Sequence, residues 1–84
     1  MNKVFTKNGW EDYSYWQTED RKTLKKINKL IEDICRNGNS GIGKPEPLLG
    51  NWSGFWSRRI NEKDRLVYKI DGKNVYIISC RYHY

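Results

Sequence analysis

The spacing of hydrophobic residues in the first half of the chain indicates a long amphipathic helix. Between positions 24 and 35 the apolar residues recur every three or four positions, as they do along one face of a helix. They are Leu24, Ile27, Leu30, Ile31, Ile34 and Cys35. Lysines occupy the rest of the circumference, and the dipeptide Asn37-Gly38 is typical of a helix end.

A shorter helix is predicted upstream, at 9–17. Asn8 followed by Glu11 forms an N-cap pattern, and "QTED" ends the segment with polar residues. Three aromatic residues within it have helical spacing and are expected in the core: Trp10, Tyr13 and Trp16. The stretch "KVFT" at 3–6 reads as a short strand ahead of this helix.

The second half of the chain changes to the two-residue period of strands. Three segments alternate or are rich in β-forming residues: "FWSRRI" at 55–60, "RLVYKI" at 65–70 and "NVYIIS" at 74–79. Asp71-Gly72 is a tight-turn signal, so the last two segments should form an antiparallel hairpin. The linker "NEKD" joins the first two in the same way.

This order of elements predicts an α+β fold in a single domain, 1–84. Two N-terminal helices should pack on one face of a twisted, mainly antiparallel sheet in the order β-α-α-β-β-β, leaving the other face partly open. Leu66, Tyr68 and Ile70 are the better core candidates of their strand, which sends Arg65 to the open face. One of the two arginines of "SRRI" must also face that side.

Composition restricts the function classes. The 84 residues carry a net charge of +6, which favours a polyanion partner, with nucleic acid first, although a merely solubilising surface also fits. Two isolated cysteines and one histidine make a zinc site or a disulfide framework a poor interpretation. Neither a signal peptide nor a membrane-length apolar run is visible, so a cytoplasmic protein with no membrane role is expected.

Three residues could together cleave RNA without a metal. Such cleavage needs a base for the 2′-hydroxyl, an acid for the leaving 5′-oxygen and a cation for the phosphate. Glu46 in "KPEPL" can be the base, and His83, the one histidine, can be the acid, because imidazole has an ordinary pKa of about 6.5. Arg65, with Arg59 or Arg81, can supply the cation.

Each of these residues also has an ordinary structural explanation. A near-terminal histidine is more often solvated than catalytic, and Arg58 or Arg59 could form surface ion pairs with Glu62 or Asp64. An open sheet face with arginines and aromatic rings suits single-stranded nucleic acid even without chemistry. From the residue types alone, RNA binding without cleavage ranks ahead of catalysis.

Several stretches resemble the YoeB toxins (the Txe/YoeB group) of the RelE-like superfamily. They are "WEDYSYW", "KPEPL", "SGFWSRRI", "DRLVY" and the terminal "CRYHY". The resemblance covers essentially the whole chain. It implies a RelE-like fold and a ribosome-dependent endoribonuclease that cleaves mRNA in the A site and inhibits translation. It also implies a YefM-like antitoxin as partner and a secondary role as antitoxin-bound co-repressor, with operator DNA contacted only through the antitoxin.

By the same resemblance, the family's site residues map onto this sequence without a metal or cofactor. Glu46 matches the general base, Arg65 the phosphate-stabilising arginine, and His83 the general acid. The remaining members of the expected site are the site-shaping Tyr84 and the RNA-binding residues Arg59, Lys44 and Arg81. One departure is Leu49, where relatives often carry a basic residue. The sequence leaves open whether the chain forms a homodimer, and a module that inhibits translation by occupancy alone is the alternative.

Overall fold

The computed structural model describes residues 1–82, which form two helices packed on one face of a five-stranded sheet. The helices are α1 (Lys7–Glu19) and α2 (Arg21–Asn37). The strands are β1 (Asn2–Phe5), β2 (Glu46–Pro47), β3 (Trp56–Arg59), β4 (Arg65–Asp71) and β5 (Asn74–Ser79). Their order is β1-β5-β4-β3-β2, with β1 parallel to β5 and the other pairs antiparallel, so the predicted α+β, mainly antiparallel architecture is confirmed.

Helix α1 begins two residues earlier than the sequence pattern predicts, whereas α2 begins directly after "QTED". The N-cap of α1 is Thr6, whose hydroxyl accepts the Gly9 N–H at 3.1 Å, so the assignment to Asn8 was wrong. Only Asp20 of "QTED" lies outside the helices. Its carboxylate accepts the N–H groups of Lys22 and Thr23 and so caps the N-terminus of α2. The end of α2 falls at the predicted Asn37-Gly38.

The core lies between α2 and the middle of the sheet. It includes Ile27, Leu30 and Ile34 of α2 against Leu66, Tyr68, Val75 and Ile77 of the strands. The predicted core face of β4 is therefore confirmed. In α1, Trp16 is buried and Tyr13 is partly buried, but Trp10 is 53% exposed, so placing all three rings in the core was wrong.

Strand β3 turns Arg58 toward the helices and leaves Arg59 on the opposite side. The side chain of Arg58 is fully buried and pairs with Asp33 at 2.5 Å, so it is no surface ion pair. Its other donors reach the Tyr68 hydroxyl and three carbonyl oxygens of the 38–42 loop. The sheet face away from the helices, called the open face below, therefore carries Arg59.

A one-residue bulge in β5 breaks the simple alternation that the sequence suggests. Val67 pairs with Ser79, whereas its neighbour Tyr68 pairs with Ile77, so Ile78 is the extra residue. Ile77 therefore packs in the core while Ser79 lies opposite Val67 on the open face. Strict alternation would put Ile77 and Ser79 on the same face, and the bulge separates them.

Candidate functional site

Strand pairing brings the predicted base and cations to one face of the sheet. Glu46 lies opposite Ser57, and Ser57 lies opposite Val67, so these residues form one row across the open face. Arg59 and Arg65 lie opposite each other in the next row. From strand spacings, the Glu46 Cα is about 8 Å from that of Arg59 and about 12 Å from that of Arg65, within reach of one phosphate between their long side chains.

The short strand β2 presents Glu46 from an extended backbone, as the flanking prolines predict. The Arg59 N–H donates to the Gly43 carbonyl at 2.7 Å just before β2, and the Leu48 N–H donates to the Phe55 carbonyl at 2.9 Å just after it. Glu46 is exposed to solvent. A fixed backbone with an accessible carboxylate is what a general base requires.

The loop that precedes β4 binds one nitrogen of the Arg65 guanidinium through its backbone carbonyls. Its Nη1 donates to the carbonyl oxygens of Asn61, Glu62 and Asp64, at 2.7, 3.2 and 3.1 Å. These bonds restrict the side chain, and a guanidinium has further N–H donors in a planar fork that suits a phosphate oxygen. The structure thus places Arg65 on the open face, as its alternation predicts.

The chain after β5 is fixed beside Arg65 by backbone hydrogen bonds. The Arg65 N–H donates to the Tyr82 carbonyl at 3.0 Å, and the Tyr82 N–H donates to the buried Asp64 carboxylate at 2.7 Å. Two residues earlier, the Cys80 N–H donates to Asp12 at 3.0 Å and the Cys80 carbonyl accepts the Trp16 indole N–H at 2.8 Å. The described chain therefore ends next to the Arg59–Arg65 row.

His83 and Tyr84, the predicted acid and the predicted site-shaping residue, lie outside the described residues. Their roles remain predictions from the sequence. What the structure adds is the position of the residue before them, because Tyr82 is held against the start of β4.

Burial affects Cys80 in this anchored segment and its partner Asp12 on α1. Burial raises the pKa of the Asp12 carboxyl above its ordinary value, although the hydrogen bond from Cys80 and the charge of Arg81 act in the opposite direction. Burial also raises the pKa of the Cys80 thiol to about 12. A thiol with that pKa is almost wholly protonated at neutral pH, so Cys80 is a packing residue and not a nucleophile.

The other predicted RNA-binding residues lie at two ends of the site. Lys44 and Arg59 line a cavity of about 390 Å³ together with Lys26. The guanidinium of Arg81 sits over two aromatic rings, 3.5 Å from the centroid of Tyr15 and 4.4 Å from that of Tyr82. Arg81 is therefore held as a stacked cation at the edge of the open face.

Sequence reasoning missed Trp52 and the two anchoring carboxylates. Trp52 is 43% exposed, and it borders one cavity with Glu46 and another with Ser79 and Tyr82. A tryptophan within the glycine-bounded "GNWSG" could have indicated an exposed ring on a turn. Nothing in the sequence could have indicated Asp12 or Asp64, because their partners are backbone groups distant in sequence.

Two negative findings apply to residues 1–82. Within that range no group of three histidine, cysteine, aspartate or glutamate side chains is arranged to hold a metal ion. Neither helix described there has the length and apolar character needed to cross a membrane.

Comparisons of the sequence with known proteins all indicate the same family. The sequence profile described as "YoeB-like toxin of bacterial type II toxin-antitoxin system" matches residues 5–84. The chain is 54% identical to Toxin YoeB of Streptomyces coelicolor and 51% identical to Toxin YoeB of Escherichia coli K12, over 84 residues and the whole of both chains in each case.

Solved structures agree with the sequence relatives. The YoeB/ParE toxin from Agrobacterium tumefaciens matches with a TM-score of 0.97 at 44% identity, with all of both chains covered. From Staphylococcus aureus, a YoeB-YefM complex matches with a TM-score of 0.93 at 49% identity and a YoeB dimer with 0.94 at 50%, each covering 100% of this chain and 98% of the other. The chain belongs to the YoeB family of toxins of bacterial type II toxin-antitoxin systems.

Proposed function

We propose that this toxin is a ribosome-dependent endoribonuclease that cleaves mRNA in the A site and so inhibits translation. The observation that carries the proposal is the meeting of Glu46, Arg59 and Arg65 on neighbouring rows of the open face. A carboxylate and two guanidiniums on one sheet face supply a base and the charge stabilisation that phosphoryl transfer needs.

The reaction then proceeds by internal attack within the RNA. Glu46 takes the proton of a 2′-hydroxyl, and the 2′-oxygen forms a bond to the adjacent phosphorus. The bond from phosphorus to the 5′-oxygen breaks as His83 gives that oxygen a proton. The products are a 2′,3′-cyclic phosphate on the upstream RNA and a 5′-hydroxyl on the downstream RNA, and no step uses a metal.

The arginines act on the charge that builds up on the phosphate. Arg65 stabilises the two non-bridging oxygens in the transition state, and its Nη1 bonds to the 61–64 loop reduce the entropy lost when it does so. Arg59, Lys44 and Arg81 hold the flanking phosphates. Tyr84 shapes the site beside His83.

We propose the same partners for this chain that the family structures contain or imply. The S. aureus YoeB-YefM complex supports a YefM-like antitoxin, and the S. aureus YoeB dimer supports a homodimer as one state of the free toxin. Operator DNA is contacted through the antitoxin, and ribosome-bound mRNA places the action in the cytoplasm. The net charge of +6 favours binding to ribosomal RNA.

The test is primer extension on a defined mRNA with programmed ribosomes and without them. The wild type should give a new stop within the A-site codon only when ribosomes are present. A 2′-deoxy substitution at the scissile nucleotide should abolish the stop, because the nucleophile is then missing. Cleavage of the deoxy substrate would overturn the mechanism.

The variants Glu46→Gln and His83→Gln separate cleavage from occupancy. Both should bind ribosomes as the wild type does and lose cleavage by several orders of magnitude, with Arg65→Gln losing cleavage comparably. If the wild type itself leaves the mRNA intact while it still stops translation, the chain is a binding module and the nuclease proposal is wrong.

A further inference from the structure

The segment between β2 and β3 is a rigid turn built around Trp52. Four backbone hydrogen bonds of 2.9 to 3.2 Å close it, from Leu48 to Phe55 and within Leu49–Phe55. Gly50 adopts a positive φ of 64°, which starts a short 3₁₀ turn that ends at Trp52. Because so few residues carry so many backbone bonds, the main chain that carries the indole is well constrained.

A second aromatic ring fixes the orientation of the Trp52 indole. The ring of Phe55 meets it edge-on, with centroids 5.3 Å apart and planes at 78°. The ammonium group of Lys69, a residue of β4, lies 5.3 Å from the centroid of the Phe55 ring. Phe55 thus contacts Lys69 as well as Trp52, and Trp52 remains 43% exposed. A large apolar ring held in place yet open to solvent is a prepared contact surface.

The indole lies between two cavities of the open face. One, of about 330 Å³, is lined by Glu46, Pro47 and Leu48. The other, of about 430 Å³, is lined by Val67, Ser79, Arg81 and Tyr82 among others. Trp52 borders both, so it stands beside the row that begins at Glu46 and ends at Ser79.

Charge indicates which kind of ligand this aromatic surface takes. The cationic residues of the same face include Arg59, Arg65 and Arg81, and two acidic groups beside it have other roles, Glu46 as the proposed base and Asp12 as the acceptor for the Cys80 N–H. An apolar peptide or lipid would leave these guanidiniums unpaired. Single-stranded RNA offers both parts at once, a phosphate for each arginine and a base with two flat faces for the ring.

We propose that Trp52 is a stacking platform for the base of an mRNA nucleotide next to the scissile phosphate. The ligand class is a nucleobase of single-stranded RNA, taken without strong preference among the four bases because stacking uses only the ring face. The site rests on the proposed function above and names a substrate contact within it. Stacking there holds the 2′-hydroxyl near Glu46, so it acts on substrate positioning.

Cleavage kinetics with base-deleted substrates test the platform. An abasic nucleotide placed on one side of the scissile phosphate should lower kcat/KM of the wild type by roughly 10- to 100-fold, the usual value of one base–aromatic stack. Trp52→Ala should lose about the same factor on intact mRNA and lose nothing further on the abasic mRNA. Trp52→Phe should recover most of the loss.

A binding measurement without cleavage provides the second readout. On adding a short all-deoxy oligonucleotide, which lacks the nucleophile, the indole N–H resonance of Trp52 should shift, identified by its absence in Trp52→Phe. Trp10→Ala is the control, because Trp10 is also exposed but packs against Phe5 and Tyr13 on the helix side. It should leave both the oligonucleotide shift and the abasic effect unchanged.

The outcomes distinguish the platform from the nuclease itself. If the wild type cleaves and Trp52→Ala cleaves intact mRNA equally well, the platform is wrong and the nuclease stands. If Trp52→Ala is slower but still loses a further 10-fold on the abasic mRNA, the ring acts only through the fold, and the platform is again wrong. If the wild type does not cleave, the proposed function fails, and the oligonucleotide shift alone decides the platform.

Discussion

Two neighbouring arginines show how strongly one position decides a residue's role. Arg58 and Arg59 have the same side chain, yet β3 buries the first beneath the helices and exposes the second on the open face. The guanidinium of Arg58 pairs with the Asp33 carboxylate and donates hydrogen bonds to three loop carbonyls. Those carbonyls belong to the segment that leads to Glu46. We therefore assign Arg58 to stability, whereas Arg59 is free of that task and fits the proposed contact with RNA.

Replacing each arginine by lysine should separate these roles. A lysine keeps the charge but cannot reach Asp33, the Tyr68 hydroxyl and the loop carbonyls at once, so Arg58→Lys should lower the free energy of unfolding by about 2 kcal/mol or more. Arg59→Lys is the matched control and should change it by less than about 0.5 kcal/mol. Urea denaturation measures both, and similar values for the two variants would contradict the assignment.

The carboxyl group of Asp12 should give the stability a distinct pH dependence. Its folded-state pKa lies above the ordinary value of 3.8, so between those two values the folded chain binds more protons than the unfolded chain. This group's contribution to stability therefore falls as the pH rises through that window and stays low at neutral pH. Asp12→Asn keeps an acceptor for the Cys80 N–H and removes the charge.

Unfolding measured across pH tests this sign. Relative to the wild type, Asp12→Asn should become progressively more stable as the pH rises from 3.8 through the raised folded-state pKa, and the difference should then stay constant. Asp12→Ala lacks the acceptor and should be less stable at neutral pH by about 1 kcal/mol. A difference between Asp12→Asn and wild type that does not vary with pH would contradict the raised pKa.

At the scale of elements, the segment after β5 is held by groups on two other elements. Asp64 ends the loop before β4, and its carboxylate accepts both the Tyr82 N–H and the Asn61 side-chain amide. One buried side chain thus fixes the loop that positions Arg65 and the residue that precedes His83. Asp64 is in this sense a positioning residue for the proposed site.

Removing the Asp64 carboxylate should release this segment without unfolding the protein. In Asp64→Ala the Tyr82 amide should exchange with solvent at least 10-fold faster, while core amides such as that of Leu66 keep their rates. Cleavage should fall mainly in kcat, because substrate binding by Arg59 and Trp52 persists. Asp64→Asn keeps one acceptor oxygen and should lie between the two. Unchanged Tyr82 exchange in Asp64→Ala would show that the other contacts of the segment hold it without the Asp64 carboxylate.

The sequence predicted the regular elements well and their irregular parts poorly. The periodicity of α2 and the alternation in β4 have a strong physical cause, since each buries one apolar face, and both were placed within a few residues. The start of α1 depended on whether Thr6 or Asn8 capped it, which local pattern does not decide. The two-residue β2 and the bulge at Ile78 are defined by pairing with other strands. The sequence of each segment alone therefore does not predict that pairing.

The same distinction applies to the candidate site. Glu46, Arg59 and Arg65 could be proposed from residue type, strand alternation and family resemblance together, and the pairing of β2, β3 and β4 places them on one face. Asp64 could not, because its importance lies in the backbone groups that fold against it. For Trp52 the sequence could have indicated an exposed ring on a turn, but not its position beside Glu46. Residues that do chemistry are chosen by type, whereas residues that hold them in place are defined by the tertiary structure.

For the whole molecule, the distribution of positive charge bears on the proposed binding to the ribosome. The chain carries +6 overall, and lysines cover the exposed side of α2 while arginines cover the open face. If binding used the net charge alone, neutralising a cation on either side would weaken it equally. If the open face docks on RNA, neutralising a cation on the open face should weaken binding more than neutralising one on the exposed side of α2.

Salt titration of ribosome binding distinguishes these cases, with the cleavage-deficient Glu46→Gln as background. Each phosphate contact that is lost should lower the slope of log K against log salt by about 1. We expect that reduction for Arg59→Gln, which removes a cation from the open face. Lys25→Gln removes the same charge from the exposed side of α2 and should leave the slope within error of the background. Equal reductions in both variants would mean that the toxin meets the ribosome through its overall charge, and the assignment of the open face to RNA would fail.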